Sequence, residues 1–146
     1  MTVDNLPDVE GALRDWLRAN TAITPTFGNR TFFGVPKGAT ERSFPLITVQ
    51  RIGGGGEAGQ APTDAALVQI DVWGNIDEKS GNGLKAECTT AVNTVRAQLR
   101  SVDHRTALNA SVDALSITEV GCVWSPDPDN DRPRYSVTAE VTAISS

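Results

Sequence analysis

Three glycines near the middle of the chain, Gly54, Gly56 and Gly59, have the G-x-G-x-x-G spacing of a dinucleotide-binding loop. Such a loop follows a strand and opens a helix, whose backbone amides hold the pyrophosphate. Here Pro62 and Asp64 follow the glycines, and the next patterned segment alternates like a strand. The order of elements therefore predicts a flexible hairpin or an interaction loop, and a phosphate-binding loop over residues 53–59 is the alternative.

Three aspartates near the C-terminus, Asp127, Asp129 and Asp131, occupy the first, third and fifth positions of a calcium-binding loop. That loop also needs glycine at its sixth position and a bidentate carboxylate at its twelfth. This chain has Arg132 and Thr138 there. The prolines around the aspartates favour a solvated turn between two strands, so no metal is predicted.

Residues that could support nucleophilic catalysis are few. His104 is the single histidine, and Ser101 and Asp103 are too close to it along the chain to supply triad geometry. Cys88 and Cys122 are interpreted as reduced, small and buried side chains, because unactivated buried thiols are inert. The sequence therefore predicts no enzyme activity and no cofactor.

Composition limits the remaining classes. The chain has 146 residues, 39% of them hydrophobic, which predicts a single domain over residues 1–146. Its formal net charge of −5 has the wrong sign for gripping phosphates, so tight nucleic-acid binding is disfavoured. No apolar run is long enough to span a bilayer, and the first residues lack the pattern of a secretion signal. We therefore expect a soluble protein without a membrane partner.

Periodicity gives the elements that must position any functional residue. An amphipathic helix is predicted from near Pro7 to near Asn20, and a second one over residues 80–102, with Cys88 on its apolar stripe. Five strands are predicted, at residues 31–35, 46–52, 66–73, 114–124 and 135–144, and the fourth changes its apolar phase near Thr118 or Glu119, which indicates a bulge or bend. The order α-β-β-β-α-β-β predicts an α+β fold with a mostly antiparallel sheet and both helices packed on one face.

Several of these segments together resemble the tail terminator, or tail-completion, proteins of long-tailed bacteriophages. They are the helix PDVEGALRDWLRAN, the strands FPLITVQRIGG and ALVQIDVWG, and the long helix that follows them. The resemblance extends from Pro7 to Leu99, and its most diagnostic part is VQIDVWG, Val68 to Gly74. The closing strands are compatible with it, and residues 125–134 match no pattern.

The resemblance implies a protein without catalytic residues that forms a hexameric ring on the tail tube and ends its elongation. Its partners would be further copies of the chain, the major tail tube protein and the head-completion or neck proteins, with DNA passing through the ring. The implied location is the tail-neck junction of a virion, after assembly in the host cytoplasm. A head-tail connector subunit of the neck is the nearer alternative.

The glycine-rich loop and one strand carboxylate are the predicted interface residues. The loop is long for a hairpin connection, and we expect it to be mobile alone and to become ordered against a neighbouring subunit or the tail tube. Asp71 faces away from the apolar side of its strand, as a solvated or interface carboxylate would. The predicted set is Gly53, Gly54, Gly55, Gly56, Glu57, Gly59 and Asp71.

Overall fold

Six strands form one sheet in the computed structural model, which describes residues 7–54, 63–77 and 79–145. The sheet order is β1-β2-β3-β6-β5-β4, and all neighbours are antiparallel except β1 and β2. The fold is therefore α+β, as predicted. The strands are β1 (Thr31–Phe32), β2 (Leu46–Gly54), β3 (Thr63–Trp73), β4 (Thr106–Ala107), β5 (Val112–Trp124) and β6 (Arg134–Ser145).

Two long helices match the predicted amphipathic segments. Helix α1 (Val9–Ala19) begins after Asp8, whose carboxylate accepts a hydrogen bond from the backbone N–H of Gly11 at 3.0 Å. That contact satisfies one of the unpaired amides at the helix start, so Asp8 is the cap and Pro7 precedes it. Helix α3 (Lys85–Arg100) carries the predicted stripe, including Cys88.

The core lies between these helices and one face of the sheet. Alternate residues of β3 and β6 face the helices and are fully buried, as Ile70 and its cross-strand partner Val137 illustrate. Leu13 and Leu17 of α1 and Leu99 of α3 pack into the same cluster. Burial of each such side chain stabilises the fold by about 1.5–3 kcal/mol. Both helices therefore pack on the apolar face of the sheet.

The structure corrects several predicted bounds. Residues 24–27, predicted as loop, form a one-turn helix α2 (Thr24–Phe27); the first strand ends at Phe32; and β4 was not predicted. Helix α3 begins five residues later than expected, because Leu84 donates its N–H to the carbonyl of Asn75 and Ile76 forms an isolated bridge with Gly83. The first three of these differences involve one-turn or two-residue elements, whose apolar periodicity is too short to detect.

The register of β5 shifts at the position that its change of apolar phase predicts. Its register with β6 shifts between Glu119 and Gly121, which confirms the bulge expected near Thr118 or Glu119. A second shift, between Ala114 and Ser116, was not predicted.

Candidate interaction surface

The hairpin of β2 and β3 holds the first part of the predicted interface. Gly53 and Gly54 are the last residues of β2, and they pair with Leu67 and Ala66 of β3. Gly54 has φ +71°, and a Cβ there would lie 2.7 Å from the backbone nitrogen of Leu67, so this position requires glycine.

Four predicted interface residues, Gly55, Gly56, Glu57 and Gly59, lie outside the described residues. The next described element after the glycines is the antiparallel strand β3 and not a helix. A dinucleotide-binding loop needs a helix after its glycines, whereas the first described element after them here is a strand.

An ion pair fixes the base of this hairpin. The Arg51 guanidinium binds both carboxylate oxygens of Asp64, with Nη2 to Oδ1 at 2.7 Å. The Asp64 side chain is almost completely buried, and its bond raises the pKa of Arg51. The backbone N–H of Arg51 donates to the Glu10 carboxylate at 2.8 Å, so the hairpin base is also tied to α1.

Strand β3 begins three residues earlier than the predicted strand over residues 66–73. Residues 63–65 belong to β3, where Asp64 pairs with Ala143 of β6. This part of β3 extends past the end of β2 and pairs with β6. A deletion confined to residues 55–62 therefore removes none of the described strand residues.

Asp71 lies apart from the glycines, near the other end of β3. The residue is five positions from Ala66, which corresponds to about 17 Å along a strand. Its side chain faces away from the core, as predicted, but Asp71 is 8% exposed and not solvated. Gln69 Nε2 donates to its two oxygens at 3.0 and 3.1 Å, which replaces the lost hydration. Whether Asp71 contributes to an interface stays a prediction.

The sheet face opposite the helices is polar and carries little charge. By register it presents alternate residues of β6, such as Ser136, Thr138 and Thr142, and on β5 it presents Thr118 and the exposed Val123, which pairs with Ser136. Glu140 is the exposed carboxylate among the described residues of β6. Hydroxyl side chains of this kind support hydrogen bonding to a partner without strong electrostatic selection.

A second ion pair, which sequence reasoning missed, joins the loops at one end of the sheet. Arg132 donates from Nη2 to Glu41 Oε2 at 2.7 Å and from Nη1 to the Gly74 carbonyl at 2.9 Å. Its guanidinium lies 3.6 Å from the centroid of the Phe44 ring. Glu41 also accepts the backbone N–H of Ile76 at 2.6 Å, and the bond from Arg132 lowers the pKa of Glu41.

This ion pair separates two open clefts. One, of about 510 Å³, is lined by Glu41, Asp77 and Glu87 among others. The other, of about 430 Å³, is lined by Val35 and Trp73 among others. Glu41 lines the first cleft and Arg132 lines the second, so the ion pair contributes to the shape of both.

The aspartates with calcium-like spacing form a turn. Asp127 Oδ1 accepts the backbone N–H of Asp129 at 3.0 Å, and the Asp131 N–H donates to the Asp127 carbonyl at 2.8 Å. Within residues 7–54, 63–77 and 79–145, no three His, Cys, Asp or Glu side chains are placed to hold a metal ion together.

His104 and Asp103 lie at the surface, after the end of α3. His104 Nδ1 lies 2.7 Å from Asp103 Oδ1, with both side chains largely exposed. The Ser101 hydroxyl donates to the Gln98 carbonyl at 2.6 Å and so is engaged with its own helix.

The two cysteines are free thiols. Cys88 is buried between α3 and the sheet, and burial raises its pKa to about 11. Cys122 is partly buried, and burial raises its pKa too. Both shifts disfavour the reactive thiolate. The interpretation as a buried side chain is confirmed for Cys88, whereas Cys122 is only partly buried. In the part of the chain that is described, no helix is long and apolar enough to cross a membrane.

Comparison with known proteins gives one informative result. No protein-family model matches the chain, and no curated protein matches it. Among solved structures, a chain of the virion of a native gene transfer agent particle matches with a TM-score of 0.67 and 15% sequence identity. The match covers 94% of this chain and 95% of that one. The two chains share a fold over nearly their full lengths.

Proposed function

We propose that this chain is a structural protein of a phage-type virion that caps the tail tube as a hexameric ring. In this role it ends tail elongation and provides the surface to which the head joins. The observation that carries the proposal is the common fold, over 94% of the chain, with a component of a gene transfer agent virion. The tail-terminator resemblance of the segments between Pro7 and Leu99 supports the position at the end of the tail.

Molecular size supports a ring. A globule of 146 residues has a radius of gyration near ~15 Å, which is too small to encircle a DNA duplex alone. Six copies, each with a formal net charge of −5, would carry roughly thirty excess negative charges, which would let DNA pass without binding if part of that charge lines the channel.

The direct test is to delete the coding sequence from the genome that carries it and to image the particles. Loss of a tail terminator leaves tubes of uncontrolled length and heads without attached tails. Supplying the wild-type chain from a plasmid should restore tails of uniform length, which provides the control for effects on neighbouring genes.

Two other outcomes contradict the capping role. Tails of normal length that stay separate from heads would assign the chain to the neck as a connector subunit. Particles that are unchanged by the deletion would exclude a structural role in the virion.

A further inference from the structure

Exposed apolar side chains lie at the two opposite edges of the sheet. Among the described residues, five large hydrophobic side chains are more than a third exposed. Ile52 lies on β2 and Phe33 directly follows β1, so both are near one edge, whereas Val120 and Val123 lie on β5, near the other edge. The fifth, Val35, lines the cleft beside Trp73 and Arg132.

The β5 edge is open along most of its length. Strand β4 pairs with β5 only at Ala114 and Asp113, so within the described part of the chain no strand pairs with the outer side of β5 beyond them. Val120 is the extra residue of the bulge and is 64% exposed, and Val123 is 61% exposed. An unpaired strand edge with apolar side chains is a site for association.

The β2 edge offers a complementary apolar surface. Strand β1 covers β2 only at Ile47 and Thr48. Beyond that point Ile52 lies at a register shift and is 49% exposed. Phe33 follows β1, and its carbonyl accepts Gln50 Nε2 at 3.2 Å, which holds the Phe33 backbone against this edge.

We propose that the β5 edge of one copy of this chain binds the β1–β2 edge of the next copy. Val120 and Val123 would pack against Phe33 and Ile52. This inference rests on the proposed function, since it names the surfaces by which subunits of the ring meet.

A head-to-tail contact accounts for both edges at once. Two copies joined through a two-fold axis at β5 would bury Val120 and Val123 but leave Phe33 and Ile52 in water. A contact between different surfaces repeats with each added copy and closes into a ring when the rotation permits. The opposite placement of the two apolar groups therefore favours cyclic assembly over a dimer.

Cysteine cross-linking tests the pairing. Four variants, Phe33→Cys, Ile52→Cys, Val120→Cys and Val123→Cys, are made in a Cys122→Ala background, so that the buried Cys88 is the one native thiol left. Each β2-side variant is mixed with each β5-side variant at the highest attainable concentration and oxidised. We expect a disulfide-linked dimer in at least one mixture, with the two engineered cysteines joined in a single peptide pair by mass spectrometry.

A control variant examines the open face of the sheet. Glu140→Cys places a thiol on that exposed face, away from both edges, and should not cross-link. Efficient self-linking of Val123→Cys or of Glu140→Cys would overturn the proposal, because the contact would then be two-fold or face-to-face. Absence of a mixed dimer in all four mixtures would overturn it as well.

The interface and the proposed function fail separately. A double variant that carries the best pair should give an oxidised ladder that ends at the ring number, and a last band at six copies supports the hexamer. If this ladder forms while deletion of the gene leaves particles unchanged, the interface is correct and the virion role is wrong. If deletion abolishes tail capping but no pair cross-links, the virion role is correct and the proposed interface is wrong.

Discussion

The Arg132–Glu41 ion pair should control the stability of the loop end of the molecule. The Arg132 side chain is 9% exposed and that of Glu41 is 25% exposed. Arg132→Met removes the guanidinium but keeps an apolar stem over Phe44. Glu41→Gln keeps the shape but leaves the buried guanidinium without a counter-charge.

The expected costs follow from the contacts. A hydrogen bond to a charged group contributes about 1.5–3 kcal/mol, and Arg132 loses its bonds to Glu41 and to the Gly74 carbonyl. Because Glu41 can be hydrated once it is freed, we expect Arg132→Met to cost about 2–3 kcal/mol. Glu41→Gln should cost about 3 kcal/mol, the lower end for breaking a buried pair. Such losses lower the Tm by about 6–12 °C in a protein of this size.

The assay is urea unfolding followed by tryptophan fluorescence, since Trp73 lines the cleft beside Arg132. The double variant should cost about 1–3 kcal/mol less than the sum of the single variants. Arg105→Met is the control: Arg105 is 58% exposed in its pair with Asp113 and should cost less than about 1 kcal/mol.

Acid adds a second readout on the same pair. Arg132 holds the pKa of Glu41 below its ordinary value of 4.5. The unfolded chain therefore takes up a proton first as pH falls, so the stabilisation is complete above about pH 4.5 and is lost below it. Glu41→Gln should flatten this part of the stability profile. A cost below about 0.5 kcal/mol for Arg132→Met, or simple addition of the two single effects, would show that the ion pair does not stabilise this end of the molecule.

Three further predictions concern other parts of the chain. Cys88→Ser should destabilise the protein by about 1–3 kcal/mol because it buries a hydroxyl, and native Cys88 should resist iodoacetamide; rapid labelling at pH 8 would contradict its burial. Replacing residues 55–62 by a short Gly-Ser linker, which keeps the Gly54–Ala66 pair and residues 63–65 of β3, should leave the Tm nearly unchanged while tail capping fails, and restored infectious particles would show that the replaced residues are dispensable. Val123→Lys should weaken self-association in sedimentation by about tenfold or more without lowering the Tm, since the side chain is 61% exposed; unchanged association would place the contact elsewhere.

Local pattern determined much of the architecture. The stripe that contains Cys88 fixed α3 and the face it buries, and the changed apolar phase near Glu119 located the bulge of β5. Alternation in β3 and β6 separated a core face from a polar face, and so predicted on which side Asp71 lies. These features depend on residues within one or two turns or strand repeats, so their periodicity is visible along the chain.

The contacts that shape the candidate surfaces depend on tertiary structure. Arg132 meets Glu41 across 91 positions, and no local pattern connects a loop arginine with one distant carboxylate. The strand pattern begins at residue 66 and so leaves Asp64 outside the predicted strand. In the structure Asp64 is buried, because β3 continues past β2 and pairs with β6. The placement of Val123 and Ile52 at opposite edges follows from the strand order, which the sequence does not encode locally. Periodicity specifies which face of an element is buried, whereas the neighbours of that element are set by how the whole chain packs.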